Sequence, residues 1–257
     1  MPVLIYEKKN RVAYLTLHRP ESMNAINREL REALTEAWND FNSDDDLWVA
    51  IVTGAGERAF CAGMDMKERA SRDAGGEQGR RPRRPLPSLA SGLGIWKPTI
   101  AAINGYCLGG GFQLAQNCDF RICADDALLG VTEVKRGLTP AWTVELAKLI
   151  GLAHALEIVL TGENITAQRA YEMGFVNKVV PKAELMTEAE KWAKILTENA
   201  PLTVRGLKEV LYRCFTLPDE QAQAIARHIL HPVTVSEDAK EGPRAFVEKR
   251  KPVWKGR

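Results

Sequence analysis

The chain has 257 residues, of which 45% are hydrophobic and 26% charged, with a formal net charge of +2. The composition is ordinary for a globular protein with a sizeable core. The small net charge excludes a strong overall electrostatic attraction to nucleic acid or a membrane. The five cysteines are odd in number and show no CxxC spacing, which argues against a disulfide framework and a zinc site and favours the reducing cytoplasm.

The amino-terminal third of the chain predicts strands around one helix. Residues 3–7 and 11–17 are typical of two strands joined by a polar turn. Residues 24–42 carry apolar side chains at three- and four-residue spacing, which predicts a helix. The continuous apolar run at 48–54 indicates a strand buried on both faces. The polar stretch 69–84 is expected to be only partly ordered without a ligand.

The middle of the chain predicts two more strands, at the start of 97–111 and over 120–125, with a glycine turn and a helix between them. Helices are then expected over 143–151, 152–161, 167–173, 187–199 and 202–215. Thr166 is the expected N-cap of the third of these helices, and Gly174 its stop.

The carboxy-terminal part, from Leu217 onward, predicts helix with breaks at Pro232 and near Pro243. Strands that alternate with helices, followed by helices alone, indicate an α/β core with a helical appendage. We place the core at 1–195 and the appendage at 196–257. No apolar stretch reaches the roughly 18 residues of a membrane span, and the N-terminus lacks the pattern of a secretory signal.

Three glycines, Gly109, Gly110 and Gly111, stand between a predicted strand and a predicted helix. Glycines leave backbone amides uncovered, and at a helix N-terminus those amides favour an anion, either a phosphate or a developing oxyanion. A tight turn without further function explains the same pattern equally well. The small-residue run at 59–66 also exposes amides, with little specificity by itself.

Other common sites are absent from the sequence. A P-loop motif and a dinucleotide-binding glycine motif are both missing. The histidines have no metal-binding spacing, so we predict no metal site and no bound cofactor. The serines lack the G-x-S-x-G context of many hydrolases.

Five segments together resemble the crotonase family, which contains enoyl-CoA hydratases and isomerases. They are RPESMNAI (19–26), TGAGERAFCAGMDMKE (53–68), KPTIAAINGYCLGGGFQLAQNCDFRICADDALLG (97–130), TGENITAQRAYEMGFVNKVV (161–180) and AFVEKRKPVW (245–254). Each segment is weakly specific alone, but their order and spacing match the family over nearly the whole chain.

The resemblance implies a spiral of ββα units with a C-terminal helical region that mediates trimerisation, as a homotrimer or a dimer of trimers. It implies an acyl-CoA substrate whose thioester carbonyl lies between the backbone N–H groups of Met64 and Gly110. Two fixed donors at that oxygen stabilise an enolate where its negative charge develops.

The family's hydratases carry two catalytic glutamates, at the positions of Gln113 and Glu133. Here the first is glutamine, which cannot accept a proton but can orient water. Glu133 is retained, and burial beside a thioester would raise its pKa toward the range of a general acid/base. A solvated loop carboxylate and a surface glutamine are the alternatives.

Two further residues mark a departure downstream. Trp142 stands where many hydratases have small residues, and either walls the acyl pocket or belongs to the core. If it is a wall, it favours a cyclic or aromatic acyl group. Glu145 is either a second carboxylate of the site or, more simply, an exposed helix charge.

For CoA, the resemblance indicates the backbone segments that surround two loops of the site. The residues concerned are Asn24, Ala25, Ala62, Gly63 and Asp65. A basic residue near Lys249, from this subunit or its neighbour, is expected at the phosphates. Lys67 and the cluster Arg80–Arg84 are other candidates, and ordinary surface cations are the alternative.

The sequence therefore predicts an enoyl-CoA hydratase that uses Glu133 and the two amides, with Gln113 holding water. The first alternative is an enoyl-CoA isomerase that uses Glu133 alone. The second is a non-catalytic member that binds RNA or a partner through Arg80–Arg84, although that loop lacks stacking aromatic residues.

Overall fold

The computed structural model of the chain describes residues 1–74 and 86–257. Its strands are β1 (Leu4–Lys9), β2 (Val12–Leu17), β3 (Val49–Gly54), β4 (Ala59–Cys61), β5 (Thr99–Ile103), β6 (Tyr106–Leu108), β7 (Phe120–Ala124), β8 (Leu128–Gly130), β9 (Ile165–Thr166) and β10 (Lys178–Val180). Its α-helices are α1 (Arg28–Ser43), α2 (Met66–Ala74), α3 (Gly110–Asn117), α4 (Val144–Ile150), α5 (Leu152–Thr161), α6 (Ala167–Glu172), α7 (Leu185–Glu198), α8 (Pro201–Cys214), α9 (Asp219–Thr234) and α10 (Glu237–Val247).

The strands form two sheets. The larger sheet has the order β1-β2-β3-β5-β7-β10, with β1 and β2 antiparallel and the other neighbours parallel. The smaller sheet has the order β4-β6-β8-β9, with only β8 and β9 antiparallel. Every residue of β5 is buried, as expected for a parallel strand covered on both faces.

The two sheets are built by a repeated unit. The strands β3, β5 and β7 lie in the larger sheet, and each is followed along the chain by a strand of the smaller sheet, namely β4, β6 and β8. A helix follows β4 and β6 directly. This arrangement confirms the predicted α/β spiral of ββα units, with helices alone toward the carboxyl end.

The predicted start of the first helix is wrong by four residues. Asn24 has a φ of +55°, which places it in the left-handed region, so the helix cannot begin there. The helix begins at Arg28, where the Asn27 side chain accepts a hydrogen bond from the N–H of Leu30 at 2.9 Å. An asparagine N-cap of this kind satisfies one of the free amides of the first turn.

The polar stretch 69–84 is also more regular than expected at its start, because α2 continues to Ala74. The Asp65 carboxylate caps this helix, with Oδ1 accepting from the N–H groups of Lys67 and Glu68 at 3.1 and 3.3 Å. The cluster Arg80–Arg84 lies outside the described residues.

Thr166 and Gly174 act as predicted. The Thr166 side chain accepts a hydrogen bond from the N–H of Arg169 at the start of α6, and Gly174 follows the helix with a φ of +80°. Pro232 lies inside α9, two residues before its end, so the predicted break there falls at the end of the helix.

The predicted break near Pro243 is wrong, because α10 continues through this residue to Val247. The helix is anchored by the chain terminus, since the Asp238 carboxylate accepts hydrogen bonds from the N–H groups of Lys255 and Gly256 at 2.7 and 2.9 Å. Such tertiary contacts offset the backbone hydrogen bond that a proline removes. No helix among the described residues is long and apolar enough to cross a membrane.

Candidate active site

Met64, Gly110 and Glu133 come shortly after three successive strands of the smaller sheet. Met64 follows β4, Gly110 follows β6 and Glu133 follows β8, and these strands are parallel neighbours. The carboxyl ends of parallel strands lie at the same edge of a sheet. The fold therefore brings together three residues that are far apart in the sequence.

The Met64 amide is oriented by a parallel bridge to Ile26. The N–H of Ile26 donates to the Gly63 carbonyl at 2.7 Å, and its carbonyl accepts from the N–H of Asp65 at 3.0 Å. In a parallel bridge those bonds use the residues on either side of Met64, so the N–H of Met64 points away from Ile26.

The Gly110 amide is the first of α3, and the first N–H groups of a helix have no partner within it. A Cβ built on Gly110 would lie 3.6 Å from the nitrogen of Met64, and a Cβ on Gly63 would lie 3.2 Å from the nitrogen of Gly110. The hydrogen bonds of the described chain include no acceptor for either N–H. Two neighbouring backbone donors are thus available to one acceptor.

Glycine is required at two adjoining positions of this turn. A side chain on Gly111 would overlap the carbonyl oxygen of Cys61, so glycine lets α3 pack directly against β4. Gly63 has a φ of +96°, and a Cβ there would lie 2.8 Å from the Leu108 carbonyl oxygen. The close approach of β4 and the turn after β6 therefore depends on the absence of side chains.

Glu133 lies in a 3₁₀ turn over Thr132–Arg136, directly after β8. Its carboxylate lies against Gly109, since a Cβ built there would be 2.9 Å from Oε1. The N–H of Gly109 donates to the carbonyl of Gly130 at 2.9 Å, which joins the glycine turn to the glutamate turn. The acidic side chain and the two free amides are therefore parts of one assembly.

The electrostatic environment of Glu133 suits proton transfer. Oε2 is buried and has no hydrogen-bond partner among the described residues. Burial raises the pKa of Glu133 above its ordinary value, and the residue's own backbone N–H and the charge of Arg136 oppose that shift only in part. A carboxyl group whose pKa is raised holds its proton to a higher pH than an ordinary glutamate does, which favours general acid/base chemistry.

Gln113 is buried on α3, one turn after Gly110. Its Nε2 donates to the backbone carbonyl of Leu86 at 2.9 Å. Oε1 and the second N–H of Nε2 are then left to orient a water molecule, and that role remains a prediction. Glu145 is exposed in the first turn of α4, as its alternative interpretation predicted.

Trp142 lies in a 3₁₀ turn over Ala141–Thr143 and is partly buried against the core. Its ring stacks on Phe112 with a centroid distance of 6.1 Å, and Phe112 stacks on Phe175 at 4.3 Å. The Trp142 carbonyl accepts a hydrogen bond from Nε2 of Gln116 at 3.3 Å. The tryptophan thus packs against the helix that carries Gly110, and the residue remains partly exposed.

Asn24, expected near CoA, has a fully buried side chain that holds the backbone. Its Nδ2 donates to the carbonyls of Ala55 and Ala59 at 3.0 and 2.7 Å, and its Oδ1 accepts from the N–H of Arg19 at 3.0 Å. The residue as a whole is buried, and its N–H already donates to the Arg19 carbonyl at 2.8 Å, so no part of Asn24 is exposed to a ligand.

Asp65 is likewise engaged within the protein. Besides capping α2, it forms an ion pair with Arg19 at 3.0 Å, and both side chains are about 85% buried. Burial would raise the pKa of Asp65, but the Glu68 N–H and the Arg19 guanidinium together hold it below its ordinary value. Arg19 also donates to the Ala25 carbonyl. This arginine joins the two loops of the site, and no sequence pattern singled it out.

The remaining predicted contacts to CoA are less defined. Ala25 and Ala62 are partly buried in the same two loops, and Gly63 is buried between them. Lys67 and Lys249 are exposed, and no hydrogen bond within the described chain joins Lys249 to the site. Within residues 1–74 and 86–257, no group of three or more His, Cys, Asp or Glu side chains is placed to hold a metal ion.

The chain is similar in sequence to proteins of known family. The sequence model of the family described as enoyl-CoA hydratase/isomerase matches residues 7–257. A carnitinyl-CoA dehydratase from Salmonella typhi is 40% identical over 260 residues, which cover 95% of this chain and 94% of the relative.

Solved structures give the same result. An enoyl-CoA hydratase from Bacillus anthracis has a TM-score of 0.90 at 35% identity, with 99% of this chain and 100% of that chain covered. An enoyl-CoA hydratase from Mycobacterium tuberculosis has a TM-score of 0.89 at 36% identity, with both chains fully covered. The chain therefore belongs to the enoyl-CoA hydratase/isomerase family of acyl-CoA enzymes.

Proposed function

We propose that this enzyme adds water across the 2,3 double bond of an enoyl-CoA thioester. One observation carries the proposal. The Glu133 carboxylate, with its buried and unpartnered Oε2, lies against the glycine turn whose free Gly110 amide neighbours the free Met64 amide. An acid/base and two donors at one place are what stabilisation of an enolate requires.

In the proposed reaction, the thioester oxygen accepts hydrogen bonds from the amides of Met64 and Gly110. Glu133 removes a proton from water as the water oxygen bonds to C3, and the electrons of the double bond move toward the thioester oxygen. The resulting enolate then takes the proton back from Glu133 at C2. Gln113 cannot accept a proton, so Glu133 handles both transfers, and Gln113 holds the water.

The acyl group is proposed to be cyclic or aromatic rather than a simple straight chain. The support is Trp142, a partly exposed residue whose ring stacks on Phe112 where small residues would leave room for a flexible chain. One relative, 40% identical, is named for a carnitinyl group, which is likewise not a plain hydrocarbon chain.

An isomerase is the alternative activity, and Gln113 is the observation that favours it. Moving a double bond along the chain needs one proton to be taken from C4 and returned to C2. A single carboxylate such as Glu133 suffices for this transfer, and no water has to be activated.

The test is a panel of enoyl-CoA esters assayed with the wild type, Glu133→Gln and Gln113→Glu. We expect Glu133→Gln to lower kcat by about 10²- to 10⁴-fold, the usual contribution of a positioned acid/base. Gln113→Glu should retain or increase hydration. The same substitution at the exposed Glu145, Glu145→Gln, is the matched control and should leave kcat within about twofold of wild type, because surface changes are generally small.

Three outcomes decide among the proposals. Full activity of Glu133→Gln would disprove the role of this residue. Turnover of 3-enoyl but not 2-enoyl esters would replace the hydratase by the isomerase. Best turnover of crotonyl-CoA would refute the proposed cyclic or aromatic acyl group and leave the hydratase assignment intact.

We also propose that the enzyme works as a homotrimer or a dimer of trimers, with Lys249 at the CoA phosphates. The support is the exposed position of Lys249 after α10, beside the exposed apolar residues Phe246 and Val247.

A further inference from the structure

Gln116 carries an unpaired acceptor inside the protein. The residue is 95% buried on α3, and its Nε2 donates to the Trp142 carbonyl at 3.3 Å. Because the Trp142 carbonyl oxygen can only accept, it must face Nε2 of the Gln116 amide, and Oε1 therefore makes no bond to it. Oε1 is buried without a hydrogen-bond partner. An acceptor in this state loses the hydrogen bonds that it would make to water, which is unusual in a native protein.

The position of Gln116 relates it to the proposed acyl site. It lies six residues after Gly110, about 9 Å farther along the helix axis at 1.5 Å per residue. It also lies one turn after Phe112, on the same side of α3, and the Trp142 ring stacks on Phe112. Gln116 is therefore hydrogen-bonded to the turn that carries Trp142, for which a wall of the acyl pocket is one of the two predicted roles.

We infer that the acyl group carries a hydrogen-bond donor, a hydroxyl or an N–H, at its end remote from the thioester, and that Gln116 Oε1 accepts from it. The inference rests on the proposed function, since it takes the acyl group to extend from Gly110 toward Trp142. Because Oε1 is buried, the inference requires the Trp142 side chain to move aside when the acyl group binds. A plain hydrocarbon in the same place would leave this acceptor unpaired, so the site discriminates against it.

The test compares saturated acyl-CoA thioesters of six and eight carbons with their counterparts that carry a terminal hydroxyl group. Binding is measured by calorimetry on the full-length protein. Saturated thioesters cannot be hydrated or isomerised, so the result is independent of which reaction the enzyme catalyses. The variants are Gln116→Met, which keeps the length of the side chain without the acceptor, and Gln168→Met, the same change at an exposed position of α6.

We expect the wild type and Gln168→Met to bind at least one hydroxylated thioester about tenfold or more tightly than its plain counterpart. Gln116→Met should lose this preference. If the wild type shows no preference at either chain length, or if a folded Gln116→Met keeps it, the inference is wrong. The wild-type comparison alone decides the matter if Gln116→Met does not fold. Failure of the proposed function would appear separately, as absence of enoyl-CoA turnover.

Discussion

Glu133 combines burial with the absence of a partner for Oε2, and this combination has opposite effects on stability and on chemistry. Burial raises its pKa, so the folded protein holds the proton more tightly than the unfolded chain does. The contribution of this group to stability is therefore present at low pH and is lost as the pH rises through the raised pKa. Once ionised, this buried and unpaired carboxylate weakens the fold locally, as expected for a residue with the proposed catalytic role.

The pH dependence of activity follows from the same shift. In the proposed hydration Glu133 must be ionised to take a proton from water, so kcat/KM should fall as the pH drops through its pKa. Because that pKa is raised, the midpoint of the acid limb should lie above the ordinary glutamate value of 4.5. The measurement is a pH profile of kcat/KM with an enoyl-CoA.

Two variants test whether the acid limb of this profile belongs to Glu133. Glu145→Gln should keep the acid limb, whereas the residual activity of Glu133→Gln should lack it. The melting temperature of Glu133→Gln at pH 7 should equal or exceed that of the wild type, which would separate loss of chemistry from loss of structure. An acid limb at or below pH 4.5 would contradict the proposed ionisation.

Gly109 is the second residue on which the site depends. Its φ of +52° disfavours any side chain, and a Cβ would in addition lie 2.9 Å from Glu133 Oε1. We expect Gly109→Ala to destabilise the fold by about 1–3 kcal/mol and to lower kcat, because the carboxylate must move. Gly94→Ala is the matched control, since Gly94 has a φ of +66° in open space.

The control should lose stability with little change in kcat. Denaturant unfolding and kcat for both variants are the measurements. Equal loss of kcat in the two variants would show that backbone strain, rather than contact with Glu133, is responsible.

Site residues that lie at positions matching the family's sequence pattern could be predicted from the sequence. Glu133 and the glycine turn were predicted as site residues because their order and spacing match the family, and the structure places them in contact. Gln116 and Arg19 were missed, because their importance arises from an unpaired atom and from an ion pair across 46 positions of sequence. Such features depend on tertiary contacts, which neither composition nor periodicity records.

At the scale of elements, two loops are joined at the candidate site, residues 19–27 and 62–65. They are held together by the Ile26 backbone bridge and by the pair of Arg19 with Asp65. Because Asp65 follows Met64 directly, this pair also fixes the peptide whose N–H is the proposed donor. We therefore expect Arg19 to act as a positioning residue rather than a catalytic one.

A double-mutant cycle tests the contact between these loops. With Arg19→Leu, Asp65→Asn and the double variant, we expect a coupling free energy of about 1–3 kcal/mol, since charged hydrogen bonds between mostly buried groups are among the stronger ones. The exposed pair of Lys135 and Glu163, with a distance of 2.7 Å, is the control and should couple by less than about 1 kcal/mol.

Activity provides the second readout of the same variants. Arg19→Leu should lower kcat, because the Met64 amide is no longer held in place, and Arg19→Lys should restore part of the loss. An Arg19→Leu enzyme with reduced stability but unchanged kcat would limit Arg19 to a structural role. Because the pKa of Asp65 is lowered in the folded protein, the stability that this pair contributes should be lost as the pH falls through that pKa.

The elements themselves were predicted with uneven success, for physical reasons. Long periodic segments such as α7 and α8 and the buried run of β3 were found, because one-sided or complete burial leaves a clear pattern. The strands β4, β8 and β10 have only three residues each, too few to show a period. The break near Pro243 was wrongly predicted because the sequence does not show the contacts of the chain terminus with α10.

At the scale of the whole molecule, the carboxy-terminal helices leave large apolar side chains uncovered. Phe246 and Val247, at the end of α10, are 84% and 79% exposed. Adjacent exposed apolar residues of this size commonly mark an interaction surface. The sequence predicted a trimerisation region here by resemblance, and the proposed core of 1–195 with its appendage assigns this surface to the appendage.

Introducing charged side chains at this surface tests whether it mediates assembly. Burying a large apolar side chain contributes about 1.5–3 kcal/mol, so Phe246→Glu with Val247→Glu should weaken association by at least about a hundredfold. We expect the wild type to sediment at a multiple of three chain masses and the double variant to sediment as a smaller species. A monomeric wild type, or a double variant that keeps the assembly, would contradict the proposal.

Lys249→Ala separates assembly from CoA binding, because it removes a cation from the same region without placing a charge on the apolar surface. It should sediment like the wild type and show a raised KM for the acyl-CoA, with kcat nearly unchanged. The double variant should show the same rise in KM if Lys249 meets the phosphates of a substrate bound to the neighbouring subunit. If the double variant dissociates with an unchanged KM, the lysine does not act on a neighbouring subunit's substrate. A raised KM of Lys249→Ala would then place it at the substrate of its own subunit, and an unchanged KM would exclude it from binding.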